Sequence, residues 1–255
     1  MVIIDVGRFA LLLLAGTGAG LVGATAGLAS LVSYPALLAA GLPPVVANMT
    51  NTVAMMGTTA GAAGGARPEL AGQGRRLLPL CAITTVGGGC GGLVLLLSPA
   101  NAFTVVVPWL IAGASVVLMA GPRLRRMAEH REHRGIGPLT GIAAFLAGAY
   151  GGYFGAAAGV LMLALLTTVW SQPLARTNAA KNIATGAANL VAAVVFACTG
   201  TVFWPAAIAV GLGSVAGSWL GSVLVRYLPA TPLRIAIGLG GLGLAAVLGW
   251  QAYAT

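Results

Sequence analysis

The sequence predicts an all-α, polytopic membrane protein of two inverted repeats, each with a glycine-broken helical hairpin followed by three transmembrane helices. Three observations predict this fold: scarce charges, apolar runs long enough to cross a bilayer, and a glycine pattern that occurs twice. Of the 255 residues, 58% are hydrophobic and 7% are charged, whereas a soluble domain carries about 25% charged residues. A folded chain with so few charges must expose most of its surface to lipid.

Eight apolar runs divide the chain, at about residues 8–41, 45–64, 77–97, 101–121, 138–171, 174–198, 203–226 and 231–252. Six of them are close to the roughly 20 residues that a helix needs to cross the hydrocarbon core. The other two, 8–41 and 138–171, would each form a single helix about 51 Å long. That length is too great for one crossing and somewhat short for two.

Both long runs contain a glycine-bounded pentad near the middle, Gly23–Gly27 (GATAG) and Gly155–Gly159 (GAAAG). Each pentad predicts a hairpin of two short helices with its tip inside the membrane, where irregular backbone needs protein or a water-filled cavity around it. The alternative is one long, tilted or kinked helix whose glycines allow close packing. Because the pattern recurs in the middle of the chain, we expect residues 1–30 to belong to the fold and not to a signal peptide.

The two halves of the chain resemble one another beyond these tips. Four glycines, a proline and an asparagine recur in order, as Gly16, Gly20, Gly23, Gly27, Pro43 and Asn48 and then as Gly148, Gly152, Gly155, Gly159, Pro173 and Asn178. Weak internal symmetry of this kind is a mark of secondary transporters. A hairpin plus three spans is an odd number of crossings, so the second repeat is inverted. We place the repeats at 1–125 and 138–255, with a basic linker at 126–137.

The basic residues orient this topology. Eight of the thirteen lie in two short segments, Arg67–Arg76 and Arg123–Arg134, which the positive-inside rule places in the cytoplasm. Both termini are then outside, and the protein is a multi-pass protein of the inner (cytoplasmic) membrane. The net charge of +9 therefore reports loop orientation and predicts no nucleic-acid binding, because no basic face with interleaved aromatic residues is present.

Acidic and histidine side chains are absent from the predicted spans. The four acids and both histidines lie in loops or at the N-terminus: Asp5, Glu69, Glu129, Glu132, His130 and His133. An enzyme or a carboxylate proton relay within the membrane would need such groups at depth. We therefore predict no catalytic residue and no enzyme activity. The two histidines are expected to lie in a solvated loop and not to form a metal site. No metal and no cofactor are predicted.

One cation lies within a predicted span. Lys181 is about a third of the way along the run 174–198, and a buried ammonium group is costly unless it meets a counter-charge. A bound anion would supply that charge; the alternative is that Lys181 extends to lipid phosphate at the interface. Two polar clusters match between the halves: Asn178 and Asn182 beside Lys181, and Asn48, Asn51 and Thr52 in the first half. The alternative role of these clusters is hydrogen bonding between helices.

We therefore predict an anion site between the two hairpin tips and the two polar clusters. Lys181 would supply the positive charge. The amide donors would be Asn48, Asn51, Asn178 and Asn182 from the two clusters. The glycines of the tips would let backbone N–H groups face the ligand; these are Gly23, Gly27, Gly155 and Gly159. The positive ends of the short helices would add to the attraction.

Two segments also resemble a known family. Residues 42–54 (LPPVVANMTNTVA) are similar to a signature of the TauE/SafE family of sulfite exporters, also called TSUP, and residues 176–182 (RTNAAKN) resemble its counterpart in the second half. The resemblance implies a permease that moves sulfite, sulfonates or other small organic anions. We expect a secondary transporter, an exporter of such anions by alternating access. The alternatives are a passive anion channel or uniporter and an importer of small carboxylates or sulfonates. The expected partners are the anion and the lipid bilayer; a homodimer is left open.

Overall fold

The structure, a computed structural model, describes residues 5–129, 137–199, 202–224 and 230–253. These ranges contain eleven α-helices and no β-strand, which confirms the predicted all-α class. The helices are α1 (Val6–Ala26), α2 (Ala29–Ala39), α3 (Pro44–Gly65), α4 (Arg67–Leu70), α5 (Gly74–Leu97), α6 (Ala100–Glu129), α7 (Pro138–Tyr153), α8 (Ala158–Val169), α9 (Leu174–Thr199), α10 (Trp204–Leu224) and α11 (Ala230–Tyr253).

The helices have the length and the surface of a membrane protein. Within the described ranges, α1, α5, α9 and α10 are each long and apolar enough to cross a bilayer. Large apolar side chains such as Leu97, Leu139 and Trp250 lie exposed on the outside of the bundle, where lipid would cover them. Helix α3 has sufficient length, with 22 residues, but its asparagine and threonine side chains lower its hydropathy.

Both long apolar runs are broken into two helices, as predicted. Between α1 and α2, Gly27 adopts a left-handed backbone with φ of 78°, and between α7 and α8, Gly155 does so with φ of 77°. Glycine adopts this conformation without the steric cost that a Cβ atom brings. Ala157, at the start of α8, has φ of 58°, which is uncommon for a residue with a side chain. The single long helix is therefore excluded in both halves.

The hairpins differ from the prediction in two ways. Helix α1 has 21 residues and is about 31 Å long, so it is a full-length helix and not a short arm. The first break, residues 27–28, begins at the last residue of its pentad, whereas the second, residues 154–157, begins one residue before its pentad. Gly23 therefore lies inside α1 and Gly159 inside α8. These two glycines serve close helix packing instead of a turn. The matched glycine spacing therefore marks packing positions, and local backbone geometry decides where each helix ends.

Each half packs its first helix against the other half. On α1, Gly16 and Gly20 meet the backbone of Val210 and Ser214 on α10, so that a step of four residues on one helix matches a step of four on the other. The two helices are thus parallel and in backbone contact. Helix α7 packs on α5 in the same manner through its own glycines. A side chain at these positions would force the helices apart.

Helices α3 and α9, which carry the two polar clusters, run in opposite directions. Arg176, near the start of α9, donates from Nη2 to the backbone oxygen of Ala71 beyond the end of α3, at 2.7 Å. Thr50, near the start of α3, accepts from the backbone N–H of Phe203 beyond the end of α9, at 3.0 Å. Such an arrangement is expected for inverted repeats. The repeat boundaries and their orientation in the membrane stay predictions.

The basic linker predicted at residues 126–137 begins as a helix. Helix α6 continues to Glu129, since residues 126–129 (Arg, Met, Ala, Glu) are all good helix formers. The rest of the linker up to residue 136, with His130 and His133, lies outside the described residues.

Candidate functional site

The two hairpin tips meet at a pair of glycines. A Cβ atom added to Gly159 would lie 2.7 Å from the Cα of Gly27, and one added to Gly27 would lie 2.7 Å from the carbonyl carbon of Gly159. Carbon atoms in ordinary contact are about 3.5–4.0 Å apart. The tips can therefore touch backbone to backbone only because both residues lack a side chain. This contact brings the broken helices of the two halves together.

Helix α9 holds the end of α1 through three buried donors. Asn178 Nδ2 donates to the Ala24 oxygen at 2.7 Å, Lys181 Nζ to the Gly23 oxygen at 3.1 Å, and Asn182 Nδ2 to the Ala24 oxygen at 3.3 Å. The three residues share one face of α9 because they are three and four positions apart. The last carbonyls of a helix lack partners within the helix and carry its negative dipole end. An ammonium and two amide groups suit that end.

Helix α3 holds the end of α7 in a reciprocal way. Asn48 Nδ2 donates, at 2.8 Å, to the backbone oxygen of Tyr153, which is the last residue of α7. Asn48 and Asn178 are the two asparagines that the sequence matched between the halves. Each of them binds the broken helix of the other half. The predicted amide donors at both positions thus contact backbone carbonyls.

Asn51 and Thr52 hold the polar cluster of α3 in place. Asn51 accepts a hydrogen bond from Ser33 Oγ and donates one to Ser30 Oγ at 3.1 Å, which ties α3 to the start of α2. Thr52 Oγ1 donates to the backbone oxygen of Asn48, one turn earlier, at 3.0 Å. All of these side chains are buried.

A cavity of about 50 Å³ lies between the tips. Six of the ten predicted site residues line it, and Asn48, Asn51, Thr52 and Asn178 do not. The six are Lys181, Asn182, Gly23, Gly27, Gly155 and Gly159. The eight lining residues that were not among the predicted site residues are Ala29, Ser30, Met55, Thr58, Thr59, Ala158, Thr185 and Asn189.

Part of the missed set had a signal in the sequence. Thr185 and Asn189 follow Lys181 at steps of four residues, so that the three form one polar stripe along α9. Side chains at this spacing lie on the same helix face. Thr58 and Thr59 continue the polar side of α3 in a similar manner. Ser30 had no such signal, because only the fold of the hairpin brings α2 to the cavity.

The cavity has the electrostatic character of an anion site. Lys181, the only lysine of the chain, is 1% exposed and lies in the cavity wall, so it does not extend to the lipid interface. The first residues of α2 and α8 also line the cavity, and helix N-termini offer N–H groups and a positive dipole end. No carboxylate is among the described residues of the wall.

The volume of the cavity limits what it can hold. A cavity that holds one water molecule has, on the same scale, a volume of about 10–15 Å³. A cavity of about 50 Å³ therefore accepts a ligand of only a few non-hydrogen atoms. Its hydroxyl and amide lining, with one ammonium group, can bind a small polar anion.

Comparison with known proteins adds an independent observation. Residues 12–248 match the protein family described as "Sulfite exporter TauE/SafE". The chain belongs to the TauE/SafE family. This confirms the resemblance of the two short segments, and it extends the similarity over nearly the whole chain.

The curated relatives of this TauE/SafE protein have names that refer to transport. "Probable membrane transporter protein YfcA" of Escherichia coli strain K12 is 28% identical over 208 residues, which cover 81% of this chain and 77% of the relative. A "Probable membrane transporter protein" of Haemophilus influenzae is 27% identical over 91% of this chain and 90% of its own. The "Probable membrane transporter protein ORF9" of Sinorhizobium sp is 26% identical over 85% and 82%. No solved structure gives a significant match.

Family and fold together establish the class of this protein. The TauE/SafE match covers the region that contains the tips, both polar clusters and the cavity. The apolar helices mark an integral membrane protein. The chain is therefore a membrane transporter of the TauE/SafE type.

Proposed function

We propose that this protein is a secondary transporter that exports small anions such as sulfite or organosulfonates across the cytoplasmic membrane. The observation that carries the proposal is the cavity between the two tips, with the Lys181 ammonium in its wall and the starts of α2 and α8 beside it. The anion is bound there by charge, by hydroxyl groups and by backbone N–H groups. The description of the matched family as a sulfite exporter supports sulfite as one cargo.

The charge of Lys181 is large enough to select an anion. At a separation of 4 Å and an effective dielectric constant of 20, two unit charges interact with about 4 kcal/mol. Since each 1.4 kcal/mol is a factor of ten in affinity, removal of this interaction corresponds to a loss of about 1,000-fold. Burial of Lys181 keeps the surrounding water from screening the attraction.

The contacts by which each half holds a broken helix of the other half support alternating access. Helix α9 of the second half grips the end of α1, and α3 of the first half grips the end of α7. The two tips and the two polar helices thus form one central unit with parts from both repeats. Rocking of one inverted repeat against the other around such a site would expose it to each side in turn.

Transport by reconstituted protein tests the proposal. Proteoliposomes loaded with unlabelled sulfite or methanesulfonate should accumulate the labelled anion by counterflow, with saturable kinetics. Lys181→Met should weaken apparent affinity by about 100- to 1,000-fold, from the Coulomb energy above. Arg75→Met, which removes one exposed charge that does not line the cavity, is the matched control and should leave transport unchanged.

The outcomes separate the proposal from its rivals. A passive channel would conduct the anion without counterflow and without saturation. Equal affinity in the wild type and in Lys181→Met would show that the cavity is not the anion site. Absence of flux for sulfite, sulfonates and carboxylates alike would remove the small-anion assignment.

A further inference from the structure

We propose that Ser30 donates a hydrogen bond to the bound anion and that Asn51 acts as a positioning residue that turns the Ser30 hydroxyl toward it. The inference rests on the proposed function and adds two roles to the site. It also revises the predicted role of Asn51, which the sequence suggested as a direct amide donor to the ligand.

Ser30 lies where the two tips face each other. It is the second residue of α2, it lines the cavity, and it is 8% exposed. Its Oγ atom is 3.9 Å from the position that a Cβ atom of Gly155 would occupy on the opposite tip. The hydroxyl group is therefore between the tips, on the side of the cavity that belongs to the first half. Lys181 lies in the wall supplied by the second half.

A chain of hydrogen bonds fixes the direction of the Ser30 hydroxyl. Ser33 Oγ lies 2.5 Å from Asn51 Oδ1 and 3.0 Å from the Ala29 backbone oxygen, and its one proton goes to the nearer acceptor, Asn51. Asn51 Nδ2 donates to Ser30 Oγ at 3.1 Å. The amide N–H thus occupies a lone pair of Ser30 Oγ and leaves its O–H as a donor.

The remaining donor points to a ligand that accepts hydrogen bonds. Within the described part of the chain, Ser30 Oγ has the Asn51 amide as its hydrogen-bond partner and donates to no protein acceptor. A buried hydroxyl proton normally finds an acceptor, and the cavity is the space that Ser30 lines. An oxyanion such as a sulfonate or sulfite would supply that acceptor opposite the Lys181 ammonium. Asn51 then acts on the anion only through Ser30.

A double-mutant cycle on purified full-length protein tests this relation, with methanesulfonate as the probe and calorimetric titration as the measurement. Ser30→Ala should weaken binding about 10- to 100-fold, the range for a hydrogen bond to a charged group. Asn51→Leu, which keeps the branching and the number of non-hydrogen atoms of the side chain, should also weaken binding. In the Ser30→Ala background, Asn51→Leu should have no further effect, because its target is gone. Ser30→Thr keeps the hydroxyl and should retain most of the affinity.

Other results would overturn the inference. Wild-type affinity in Ser30→Ala would exclude the hydrogen bond, and equal losses from Asn51→Leu in both backgrounds would show that Asn51 acts independently of Ser30. If Asn51→Leu does not fold, Ser33→Ala replaces it in the same cycle, since Ser33 fixes the Asn51 amide. Absence of binding by the wild-type protein would instead overturn the proposed function, and this inference with it.

Discussion

The contact between the hairpin tips leads to a quantitative prediction for Gly159→Ala. The new methyl group would lie 2.7 Å from the Gly27 Cα and 3.1 Å from its carbonyl oxygen. Both are backbone atoms of the opposite tip, so no flexible side chain can move aside. To reach an ordinary carbon–carbon separation of about 3.5–4.0 Å, the tips must separate by roughly 1 Å. Overpacking of this kind costs about 1–3 kcal/mol, against a gain of up to about 1 kcal/mol in helix propensity.

Gly113→Ala is the matched control for this change. Gly113 lies in α6, where an added Cβ atom would meet nothing within 4 Å, so the substitution keeps the gain in helix propensity without the clash. We expect Gly159→Ala to be less stable than Gly113→Ala by about 1–3 kcal/mol, measured as the free energy of unfolding in a denaturant titration in detergent micelles. Its anion affinity should also change, because the cavity lies between the tips. Equal stability of the two variants would refute the backbone contact of the tips.

Three further substitutions test how the halves are joined, with the free energy of unfolding as the measurement. Asn48→Leu should destabilise the protein by about 1–3 kcal/mol, because it removes a hydrogen-bond donor from the end of α7. Asn178→Leu should cost less stability, because Asn182 still donates to the same Ala24 oxygen. The reverse order of the two losses would contradict these assignments. Gln73→Leu, which removes hydrogen bonds to Arg176, Gln172 and the α4 backbone, should cost about 2–3 kcal/mol; a neutral effect would show that this junction contributes no stability.

The polar clusters show how far the sequence could predict the site. Four asparagines and a lysine lie inside apolar runs, where polar side chains need partners, and all five side chains are buried in the structure: Asn48, Asn51, Asn178, Asn182 and Lys181. The sequence did not distinguish which of them line the cavity. Asn48 and Asn178 contact helix ends, and Lys181 and Asn182 do so while also lining the cavity. That division depends on where α1 and α7 stop, which is a property of the tertiary structure.

The glycines show the same limit. Their spacing predicted two matched breaks, and two breaks are present. The spacing did not indicate which glycine of each pentad forms the turn. Gly27 turns the chain in the first hairpin and Gly155 in the second, while Gly23 and Gly159 pack inside helices. A glycine that allows a turn and one that allows close approach look the same in a sequence.

The sequence by itself determined that the protein lies in a lipid bilayer, that it is helical and that one cation falls within a predicted span, because charge scarcity, the length of the apolar runs and the position of Lys181 are properties of the residues alone. The burial of Lys181, which the sequence left open, was decided by the tertiary structure. The tertiary structure decided which residues meet. Only the folded chain brings Ser30 of one hairpin to the cavity that Lys181 lines from the other half. The physical reason is that a helix end and its partner can be more than 150 residues apart in the chain, where no local pattern records their contact.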